Sequence, residues 1–524
     1  MNNIGEMFHQ RAVVSPALEA YVEPSTNVRV DYSQMNALIN RAAHVIESLG
    51  IAKGERIALL MPNSLEFCCL FYAAAKLGVV VVPLNTRLTA PELEFLLSDS
   101  GAKALFYGEE FAGVVASLKT GTAHPLAVND WVPATSSAGS LAKLLSAAVS
   151  ALVPALGSAG SLAERLGAAA SDEPACTSGG QDNLFIMYTS GTTGLPKGVV
   201  HTHDSVHCAV MSWANTIDIR YKDRILLPLP MFHVAALTTV IVCAARGITL
   251  VSMPNFDPMK VWSLIIEERV TVAGGVPAIL NFMRQVPQFA ELQASPVRYF
   301  ITGGAPLPKA LIEIYAAKHM EVVQGYALTE SCGGGSLLLN DDALRKIGSA
   351  GRAAMFIDIR LRHADGSLHE KGSGEVVMKS DFLLKEYWNR PDATRDAFDN
   401  GWFRTGDIAD IDDEGFIYIK DRIKDMIISG GENIYPAEIE NVILGHSSVK
   451  EVAVIGLPDE KWGEIACAII VGDQAQGGAE QILAHCESRL ARYKLPKKFI
   501  FVEAIPRNPA GKVLKRVLRD QYAA

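Results

Sequence analysis

The sequence predicts an α/β fold with a large N-terminal domain of mostly parallel sheets wrapped by helices, a β-rich subdomain and a small α+β C-terminal domain. Three observations predict it. The chain has 524 residues, which is too long for one small hydrophobic core. Strand-like and helix-like segments alternate through its first half, and the composition changes near residue 350 to short alternating strands separated by turns.

The alternation of strands and helices begins near residue 30. Residues 31–50 carry apolar side chains at helical spacing and end at Gly50, a usual C-terminal cap. The apolar run 56–61 predicts a buried strand, and a helix and the strand 79–83 follow it. Repeats of this kind predict a mostly parallel sheet with helices on both faces. Further strands are predicted at 184–187, 224–228, 248–251 and 270–273.

The second half of the chain has a different pattern. Turns at Asp365-Gly366 and Glu414-Gly415 separate short strands, which predicts a β-rich subdomain ending near Ile419. The charged run 420–425 marks a boundary, so the predicted domains are 1–420 and 421–524. The strand 452–456 and the helix 478–490 predict an α+β fold for the second of them.

Residues 134–180 differ from both halves, because they are rich in Ala, Ser, Gly and Leu and almost lack aromatic side chains. They predict one or two surface helices that end in a mobile segment at 177–180. No chemistry is predicted there.

Composition excludes several classes of protein. The net charge of −9 is opposite in sign to a nucleic-acid-binding surface. The best candidate for a membrane span, residues 67–82, is broken by Lys76 and Gly78. The N-terminus has no basic and apolar regions of a signal peptide, and the eight cysteines are scattered as in proteins with reduced thiols. We therefore expect a cytoplasmic protein with no transmembrane segment and no nucleic-acid partner.

The chemistry of the chain is organised around Y-T-S-G-T-T-G-L-P-K-G, residues 188–198. Its glycines let backbone N–H groups approach an anion, and its hydroxyls and lysine add donors and positive charge. The segment therefore predicts a phosphate site. The candidate residues are Thr189, Ser190, Gly191, Thr192, Thr193, Gly194 and Lys197.

Two other interpretations of this loop fit less well. A Walker A loop needs glycine before the lysine and a hydroxyl after it, whereas Pro196 and Gly198 stand at those positions. A flexible linker is disfavoured because the loop carries Pro-Lys-Gly and is flanked by two apolar strands.

A second group of candidates is Q-G-Y-A-L-T-E, residues 324–330. The ring of Tyr326 offers a flat face to a purine, and the carboxylate of Glu330 can hold Mg²⁺ on phosphate oxygens. From these residues alone, Tyr326 could equally be a core residue and Glu330 an acid at a helix N-terminus.

Other segments leave structural and functional interpretations open. Asp407, in G-W-F-R-T-G-D, could cap a backbone turn or accept the two hydroxyls of a ribose. Lys512, in P-R-N-P-A-G-K, could be a solvated charge. His233 lies in an apolar run and could be a core residue, and Trp462 could be a half-buried packing residue. The segment G-G-A-P-L at 303–307 could be an ordinary strand-to-helix turn.

Taken together, these motifs resemble the signatures of the adenylate-forming superfamily, which contains acyl-CoA synthetases, adenylation domains of peptide synthetases and firefly-type luciferases. The resemblance covers residues 185–516, with five motifs in the order of the family. One departure is Ala327, where the family usually has glycine, a change from one small residue to another.

The resemblance implies a nucleotide site. Tyr326 would stack on adenine, Thr329 would contact a phosphate, and Glu330 would bind magnesium. Gly304 and Ala305 would line the adenine and acyl sites. Asp407 and Arg422 would bind the ribose.

It also implies residues for the acid and the thiol. Lys512 would contact both the acyl carboxylate and the α-phosphate, and His233 would act as a gate between the acyl site and the thiol channel. The C-terminal domain would be mobile, turning about Lys424 to bring Gly430 and Gly431 to the channel. Trp462 would line the path of the pantetheine. The catalytic residues implied are Thr189, His233, Glu330 and Lys512.

The resemblance therefore implies an acid–CoA ligase. ATP and Mg²⁺ would convert a carboxylic acid into an acyl adenylate and pyrophosphate, and CoA would then take the acyl group and release AMP. Three alternatives stay open: a free-standing enzyme that loads a carrier protein, a luciferase-like oxygenase, and an inactive adenylate sensor. Retention of Glu330 and Lys512 argues against the last. The sequence leaves the oligomeric state open, with a homodimer as one option.

The acyl pocket should be small and apolar, without a cation to pair with a second carboxylate or an acid to hold an amino group. This predicts a monocarboxylic acid with an apolar tail, either a medium-chain fatty acid or a simple aromatic acid. The predicted wall consists of residues 234–237, 276–278, 303–304 and 332–335.

Overall fold

The computed structural model describes residues 3–119, 124–127, 166, 169–189, 196–292, 295–304, 307–422, 425–429, 432–460, 462–473, 478–487, 489–490, 492–507 and 513–523. The chain forms two compact units. The N-terminal unit comprises Met1–Ile347, Ala353–Asp358 and Lys379–Phe398, and the C-terminal unit comprises Gly348–Arg352, Ile359–Met378 and Asp399–Ala524.

The larger sheet of the N-terminal unit has nine strands, and six neighbours in its centre are parallel. The central strands are short, nearly continuous runs of buried apolar residues, as expected where helices cover both faces. In spatial order the strands are Arg352–Ala353, Gly335–Leu338, Glu321–Ala327, Tyr299–Gly303, Val272–Gly275, Arg224–Leu227, Thr249–Ser252, Glu19–Glu23 and Val28–Asp31.

The second sheet of this unit has seven strands and is parallel except at one edge. There, Asn183–Thr189 and Lys197–Thr202 form an antiparallel hairpin. The residues that flank the glycine-rich loop, Thr189 and Lys197, are therefore paired on adjacent strands. In spatial order the strands are Glu386–Tyr387, Lys197–Thr202, Asn183–Thr189, Val80–Pro83, Arg56–Leu60, Ala104–Tyr107 and His124–Ala127.

Helices fill the space between the two sheets and cover their outer faces. The largest core joins residues of both sheets to the helices between them, and two smaller cores lie on the outer faces. The helix Leu65–Leu77 lies in the middle layer, where every residue except Glu66 is buried. The helices are Ile4–Val14, Tyr32–Ser48, Leu65–Leu77, Ala90–Ser100, Ala112–Ala116, His203–Thr216, Val234–Arg246, Val261–Glu267, Pro277–Gln285, Pro287–Glu291, Lys309–Ala316, Asn340–Ala343 and Pro391–Asp396, with a 3₁₀ turn at Glu109–Phe111.

Lys76, near the end of that middle helix, is a charged residue in an apolar layer. Its side chain is 1% exposed. The ammonium donates hydrogen bonds to Asn40 Oδ1 (2.7 Å) and Asn36 Oδ1 (3.0 Å) and pairs with the carboxylate of Glu173. Burial lowers the pKa of this lysine. The carboxylate and the two amides offset the cost of placing its charge away from water.

The C-terminal unit contains two sheets in which most neighbouring strands are antiparallel. The first has six strands: Leu368–His369, Asp358–Arg362, Gly372–Lys379, Trp402–Ile411, Phe398–Asp399 and Ile417–Arg422. The second has five: Glu432–Ile434, Ile427–Ser429, Gly463–Gly472, Val449–Asp459 and Lys498–Phe501. The helices of this unit are Pro436–Leu444, Ala479–Glu487 and Lys515–Tyr522, with a 3₁₀ turn at Arg492–Lys494.

The predicted fold class is confirmed: parallel sheets wrapped by helices, a β-rich part and an α+β part are all present. The segments of the β-rich part group with the C-terminal residues. The boundary between 420 and 421 and the mobility of the C-terminal domain stay predictions. No helix among the described residues is both long enough and apolar enough to cross a membrane.

The segment 177–180, predicted to be mobile, is hydrogen-bonded to the rest of the N-terminal unit. Thr177 Oγ1 donates a hydrogen bond to the carbonyl of Leu77 (2.9 Å), and Ser178 Oγ donates to that of Ala75 (2.8 Å). Lys53 Nζ donates to the carbonyl of Thr177 (2.8 Å). The last carbonyls of a helix have no partner within it, and these short hydroxyl side chains supply one. The surface helices predicted before this segment fall almost entirely outside the described residues.

Candidate active site

The site is built at one edge of the nine-stranded sheet. Because Val272–Gly275, Tyr299–Gly303 and Glu321–Ala327 are parallel neighbours, their carboxyl ends lie side by side. The chain after them carries the predicted residues at 276–278, at 303–304 and at 326–330. In open α/β sheets, ligands bind outside the carboxyl ends of the strands. The topology therefore brings three separate predicted segments to one ligand-binding edge.

Glycine is required where two of these strands end. A Cβ on Gly303 would lie 2.8 Å from the carbonyl oxygen of Gly325, which is closer than a carbon and an oxygen can approach. Gly304 has φ +78°, a conformation that favours glycine. A Cβ placed there would lie 3.9 Å from Val276 Cγ1, so Val276 and Gly304 are neighbours. Ala305 lies outside the described residues.

The backbone carbonyls of Thr329 and Glu330 each accept a hydrogen bond from a residue distant in sequence. His201 Nε2 donates to the carbonyl of Thr329 (2.8 Å), and the amide of Leu384 donates to the carbonyl of Glu330 (2.7 Å). Complete burial lowers the pKa of His201 to about 4, so the ring is neutral near pH 7. Since a carbonyl only accepts, the proton is on Nε2, and Nδ1 accepts from Ser205 Oγ (3.2 Å).

The glycine-rich loop starts and ends on the hairpin of the seven-stranded sheet. Thr189 lies opposite Lys197, and Tyr188 lies opposite Gly198. Gly198 is tightly packed, because a Cβ there would lie 2.7 Å from Ile186 Cγ2. The predicted residues Ser190, Gly191, Thr192, Thr193 and Gly194 lie outside the described residues.

Glu330 suits a metal ion that is shared with a nucleotide. Its Oε1 accepts a hydrogen bond from the Tyr387 hydroxyl (2.9 Å), which engages one of the two carboxylate oxygens. A carboxylate oxygen is thus left for Mg²⁺, which binds through one or two carboxylates and the phosphates of its nucleotide. The described residues contain no group of three or more His, Cys, Asp or Glu able to hold a metal by themselves.

Two segments of the predicted acyl wall, 234–237 and 332–335, are in contact with each other. Gly333 lies near Val234 and Ala235: a Cβ on it would be 4.0 Å from Val234 Cγ2 and from Ala235 Cα. Trp213 Nε1 donates to the carbonyl of Gly333 (3.0 Å), and Thr238 Oγ1 donates to the carbonyl of Cys332 (3.2 Å). These bonds fix the turn after Glu330 against two helices, His203–Thr216 and Val234–Arg246.

His233 precedes that helix and its ring packs against Phe232, with ring centroids 4.6 Å apart. Its Nε2 is buried without a hydrogen-bond partner among the described residues. Burial, and to a smaller degree the charge of Arg87, lowers its pKa to about 4. A neutral imidazole near pH 7 agrees with a wall or gate better than with a proton shuttle.

In the C-terminal unit, Asp407 is 3% exposed and lies opposite Arg422 in adjacent antiparallel strands. The structure thus brings together the two residues predicted to bind a ribose. The backbone amide of Asp407 donates to Thr405 Oγ1 (3.0 Å), which fixes the turn before it. The side chain of Arg422 lies outside the described part of the chain.

The strands on either side of the predicted Gly-Gly turn lie beside the chain next to Trp462. Ile427–Ser429 and Glu432–Ile434 form a hairpin, and Ser429 lies opposite Gly463, the residue after Trp462. Trp462 is 39% exposed, and Lys497 Nζ lies 4.0 Å from the centroid of its ring. Gly430, Gly431 and the predicted hinge residue Lys424 lie outside the described residues.

Lys512 is likewise outside the described residues, but the chain on both sides of it is anchored. Arg507 and Val513 form an antiparallel bridge. Arg507 pairs with Glu451 (2.6 Å), and Lys515 pairs with Glu440 (2.8 Å). Arg507 and Val513, the described residues that flank Lys512 in sequence, are therefore held next to each other.

The comparison with known families decides the assignment. Residues 8–388 match the family described as AMP-binding enzyme, and residues 438–512 match the AMP-binding enzyme C-terminal domain. The chain belongs to the AMP-binding enzyme family. The resemblance to the adenylate-forming superfamily is thereby confirmed, and the chain is an ATP-dependent, AMP-forming carboxylic acid–CoA ligase that uses ATP, Mg²⁺ and CoA.

Individual relatives cover the full length of the ligase. It is 68% identical over 524 residues to the long-chain-fatty-acid–CoA ligase FadD13 of Mycobacterium tuberculosis, covering 100% of this chain and 99% of the relative. A solved Mycobacterium tuberculosis fatty acyl CoA synthetase is 66% identical, with a TM-score of 0.79 and coverage of 100% and 99%. The o-succinylbenzoate CoA synthetase of Bacillus subtilis, solved with ATP and magnesium, is 30% identical, with a TM-score of 0.84 and coverage of 98% and 99%.

Sequence reasoning did not single out three residues that organise this ligase's site: His201, Tyr387 and Asn63. Asn63 clamps the turn before His233, accepting from the amide of Met231 (2.7 Å) and donating to the carbonyl of Leu229 (2.8 Å). Their partners lie 128, 57 and more than 160 residues away in sequence, so no local pattern connects them. The only signal was their position beside recognised motifs or in a short aromatic run.

Proposed function

We propose that the acid activated by this ligase is a long-chain fatty acid, a monocarboxylic acid with an unbranched aliphatic tail. The observation that carries the proposal is the 68% identity, over the whole chain, to a protein named for long-chain fatty acids. The relative named for o-succinylbenzoate is only 30% identical. The sequence left two substrates, a medium-chain fatty acid and a simple aromatic acid. The higher identity to the fatty-acid ligase favours a fatty acid, and the name of that ligase favours a chain longer than medium length.

The chemistry of the acyl wall supports an apolar tail. Val234, Ala235, Val276, Gly304 and Gly333 present no charged group. A dicarboxylate or an amino acid would bring a second charge into this wall, where it would be desolvated and unpaired. An aliphatic tail brings none, and each buried methylene adds about 0.8 kcal/mol of favourable transfer free energy.

The first half-reaction joins two anions. The acyl carboxylate oxygen attacks the α-phosphorus of ATP, the bond to the β-phosphate oxygen breaks, and pyrophosphate leaves with the electron pair. Lys512 would contact both the carboxylate and the α-phosphate, and Lys197 would bind the phosphates, so both reduce the repulsion. Magnesium, when bound, would offset further negative charge on the triphosphate. Thr189 and Thr329 would contribute hydroxyl donors.

The second half-reaction breaks the mixed anhydride. The thiolate of CoA, whose proton has passed to solvent, attacks the acyl carbon, and AMP leaves with the electrons of the acyl–oxygen bond. Gly430 and Gly431 would leave room for the pantetheine, with Trp462 beside its path. The low pKa of His233 supports a gate that limits access of water and thiol without taking a proton. Tyr326 would hold adenine, and Asp407 with Arg422 would hold the ribose, in both steps.

A substrate panel tests the proposed acid. The purified ligase is given ATP, Mg²⁺, CoA and one of hexanoate, octanoate, palmitate, benzoate, cinnamate, phenylalanine or succinate, and kcat/KM is obtained from pyrophosphate release. We expect palmitate to exceed octanoate by about tenfold, within the range that apolar pockets discriminate. A preference for hexanoate or octanoate would restore the medium-chain prediction. A preference for an aromatic acid, phenylalanine or succinate would overturn the proposal.

We also propose a cytoplasmic location, supported by eight free cysteines. Fractionation of cells that express the ligase tests it. Recovery in the cytosolic fraction is expected, and recovery in a secreted fraction would contradict it.

A further inference from the structure

The segment Leu384–Arg390, here called the strap, crosses the edge of the seven-stranded sheet beside the glycine-rich loop. Glu386 and Tyr387 pair in antiparallel register with Val200 and Val199. The amide of Trp388 donates to the carbonyl of Gly198 (2.7 Å). The strap is thus the backbone neighbour of the strand that carries Lys197.

Tyr387 contacts two candidate site residues that belong to different motifs. Its hydroxyl donates to Glu330 Oε1 (2.9 Å), and Lys197 Nζ lies 5.0 Å from the centroid of its ring. The tyrosine is 8% exposed. A tyrosine hydroxyl is protonated at neutral pH and can donate to a carboxylate.

The strap is fixed by hydrogen bonds and an ion pair at Tyr387 and at the residues that follow it. The amide of Tyr387 donates to Thr394 Oγ1 (2.9 Å). Near the C-terminal end of the strap, Trp388 Nε1 donates to the carbonyl of Asp99 (3.0 Å), and Arg390 pairs with the carboxylate of Asp99 (2.8 Å). The same carboxylate accepts from the hydroxyl of Tyr188 (2.7 Å), the first residue of the glycine-rich loop segment. Tyr387 therefore has a fixed frame from which to position other groups.

We propose that Tyr387 is a positioning residue that couples the Glu330 carboxylate to the Lys197 ammonium. Its hydroxyl holds one carboxylate oxygen and so aims the other at the metal–nucleotide complex, while its ring face directs the ammonium toward the phosphates. The inference rests on the roles proposed above for Glu330 and Lys197. Partners that orient a metal ligand, and cations held over an aromatic face, are both known to contribute measurable binding energy.

The two contacts can be separated by substitution. Tyr387→Phe removes the hydroxyl and keeps the ring, so it affects only Glu330. Tyr387→Leu removes both. Tyr315→Phe is a control, because Tyr315 is also buried in the N-terminal unit and its hydroxyl donates to a backbone carbonyl, that of Leu280 (2.8 Å), and not to Glu330. Thermal unfolding of each variant checks that it is folded.

The readout is binding of adenosine 5′-(α,β-methylene)triphosphate by calorimetry, in Mg²⁺ and in EDTA, with no acid or CoA present. We expect Tyr387→Phe to weaken binding about tenfold in Mg²⁺ and to leave binding in EDTA unchanged. Tyr387→Leu should show the same loss and, in addition, bind about threefold more weakly in EDTA, because Lys197 loses the ring. Tyr315→Phe should match the wild type in both conditions.

A double-mutant cycle gives a second test. In a Glu330→Gln background, Tyr387→Phe should cause no further loss in Mg²⁺, since the hydroxyl then has no carboxylate to orient. Unchanged binding by Tyr387→Phe, or equal losses in Mg²⁺ and in EDTA, would overturn the proposal, the second outcome indicating a purely structural role.

The same data distinguish this inference from the proposed function. Nucleotide binding needs no acid, so a ligase that binds the analogue as expected but rejects palmitate loses only its proposed substrate. Wild-type binding that does not depend on Mg²⁺ would remove the metal role of Glu330 and, with it, the carboxylate half of this proposal.

Discussion

At the scale of single residues, the site is a set of chemically ordinary side chains whose roles depend on their partners. His201 and His233 are both neutral near pH 7, because burial lowers the pKa of each to about 4. One supports a turn through a carbonyl, and the other has a buried ring nitrogen without a partner among the described residues. Neither is suited to carry protons at neutral pH, which leaves lysine and metal charge as the proposed means of stabilising the transition state.

Lys512 provides the sharpest test at this scale. We expect Lys512→Ala to lower the rate of acyl-adenylate formation by about 10²–10³-fold, the usual loss when one preorganised group is removed from a charged transition state. Conversion of supplied acyl-AMP and CoA to acyl-CoA should stay close to the wild-type rate. Pyrophosphate exchange measures the first step, and thioester formation measures the second. Equal losses in both would show that Lys512 acts through the structure of the C-terminal unit.

At the scale of elements, the carboxyl ends of three parallel strands do most of the positioning. Because glycine has no side chain, adjacent strands can approach closely at Gly303, and no side chain of that residue extends from the edge of the sheet. Gly303 and Gly274 lie on adjacent strands of the same sheet but differ in the space around them. A Cβ on Gly303 would be 2.8 Å from a backbone oxygen, whereas a Cβ on Gly274 has no heavy atom nearer than 3.8 Å.

This difference gives a paired prediction. Gly303→Ala should raise the KM for ATP and lower the midpoint of thermal unfolding, because two backbones must separate to admit the methyl group, at a cost of about 1–3 kcal/mol. Gly274→Ala should change the midpoint by much less. ATP kinetics and thermal unfolding of both variants provide the measurement. Equal effects of the two substitutions would contradict the steric argument.

Elements with local signals were predicted well from sequence. The helix expected over 31–50 spans Tyr32–Ser48, since Asp31 caps its start together with Gln34 and Gly50 follows its end with φ +71°. The phosphate loop and the Thr329-Glu330 turn could be proposed as site segments because their residue types carry their chemistry. The Tyr387 contact was not found, because a tyrosine in an aromatic run gives no indication of a carboxylate 57 residues away.

The contacts made by residues 177–180 could not be predicted for the same reason. Small polar residues are typical of mobile segments, and nothing local shows that the end of the helix Leu65–Leu77, about one hundred residues earlier, lacks partners for its carbonyls. Long-range satisfaction of hydrogen bonds is a property of the folded chain. Secondary structure and motifs could therefore be predicted here, whereas tertiary partners could not.

At the scale of the whole molecule, stability should depend on acid. His201, His203 and His233, all in the N-terminal unit, have pKa values lowered to about 4 by burial. Between about pH 6.5 and pH 4 the unfolded chain binds a proton on each, and the folded chain does not. The free energy of unfolding therefore falls as pH drops, by about 1.4 kcal/mol per pH unit for each histidine.

Urea unfolding between pH 7 and pH 4.5 measures this dependence. The stabilising contribution is fully present above pH 6.5, and its loss should begin below that value. His233→Phe should flatten the slope by one proton, because phenylalanine fills a similar volume and does not titrate. A slope below pH 6.5 that is unchanged in this variant would show that His233 is not buried neutral in the folded ligase.

The buried lysine of the middle layer has a consequence for how the chain is made. Lys76 is stabilised in part by Glu173, which the ribosome adds 97 residues later. At about 5–20 residues per second, translation takes roughly 5–20 s to reach it. During that interval the ammonium lacks its counterion, so full burial of the helix Leu65–Leu77 between its sheets is disfavoured. We therefore expect this helix to stay accessible to chaperones until the carboxylate and the later strands of the nine-stranded sheet have been made.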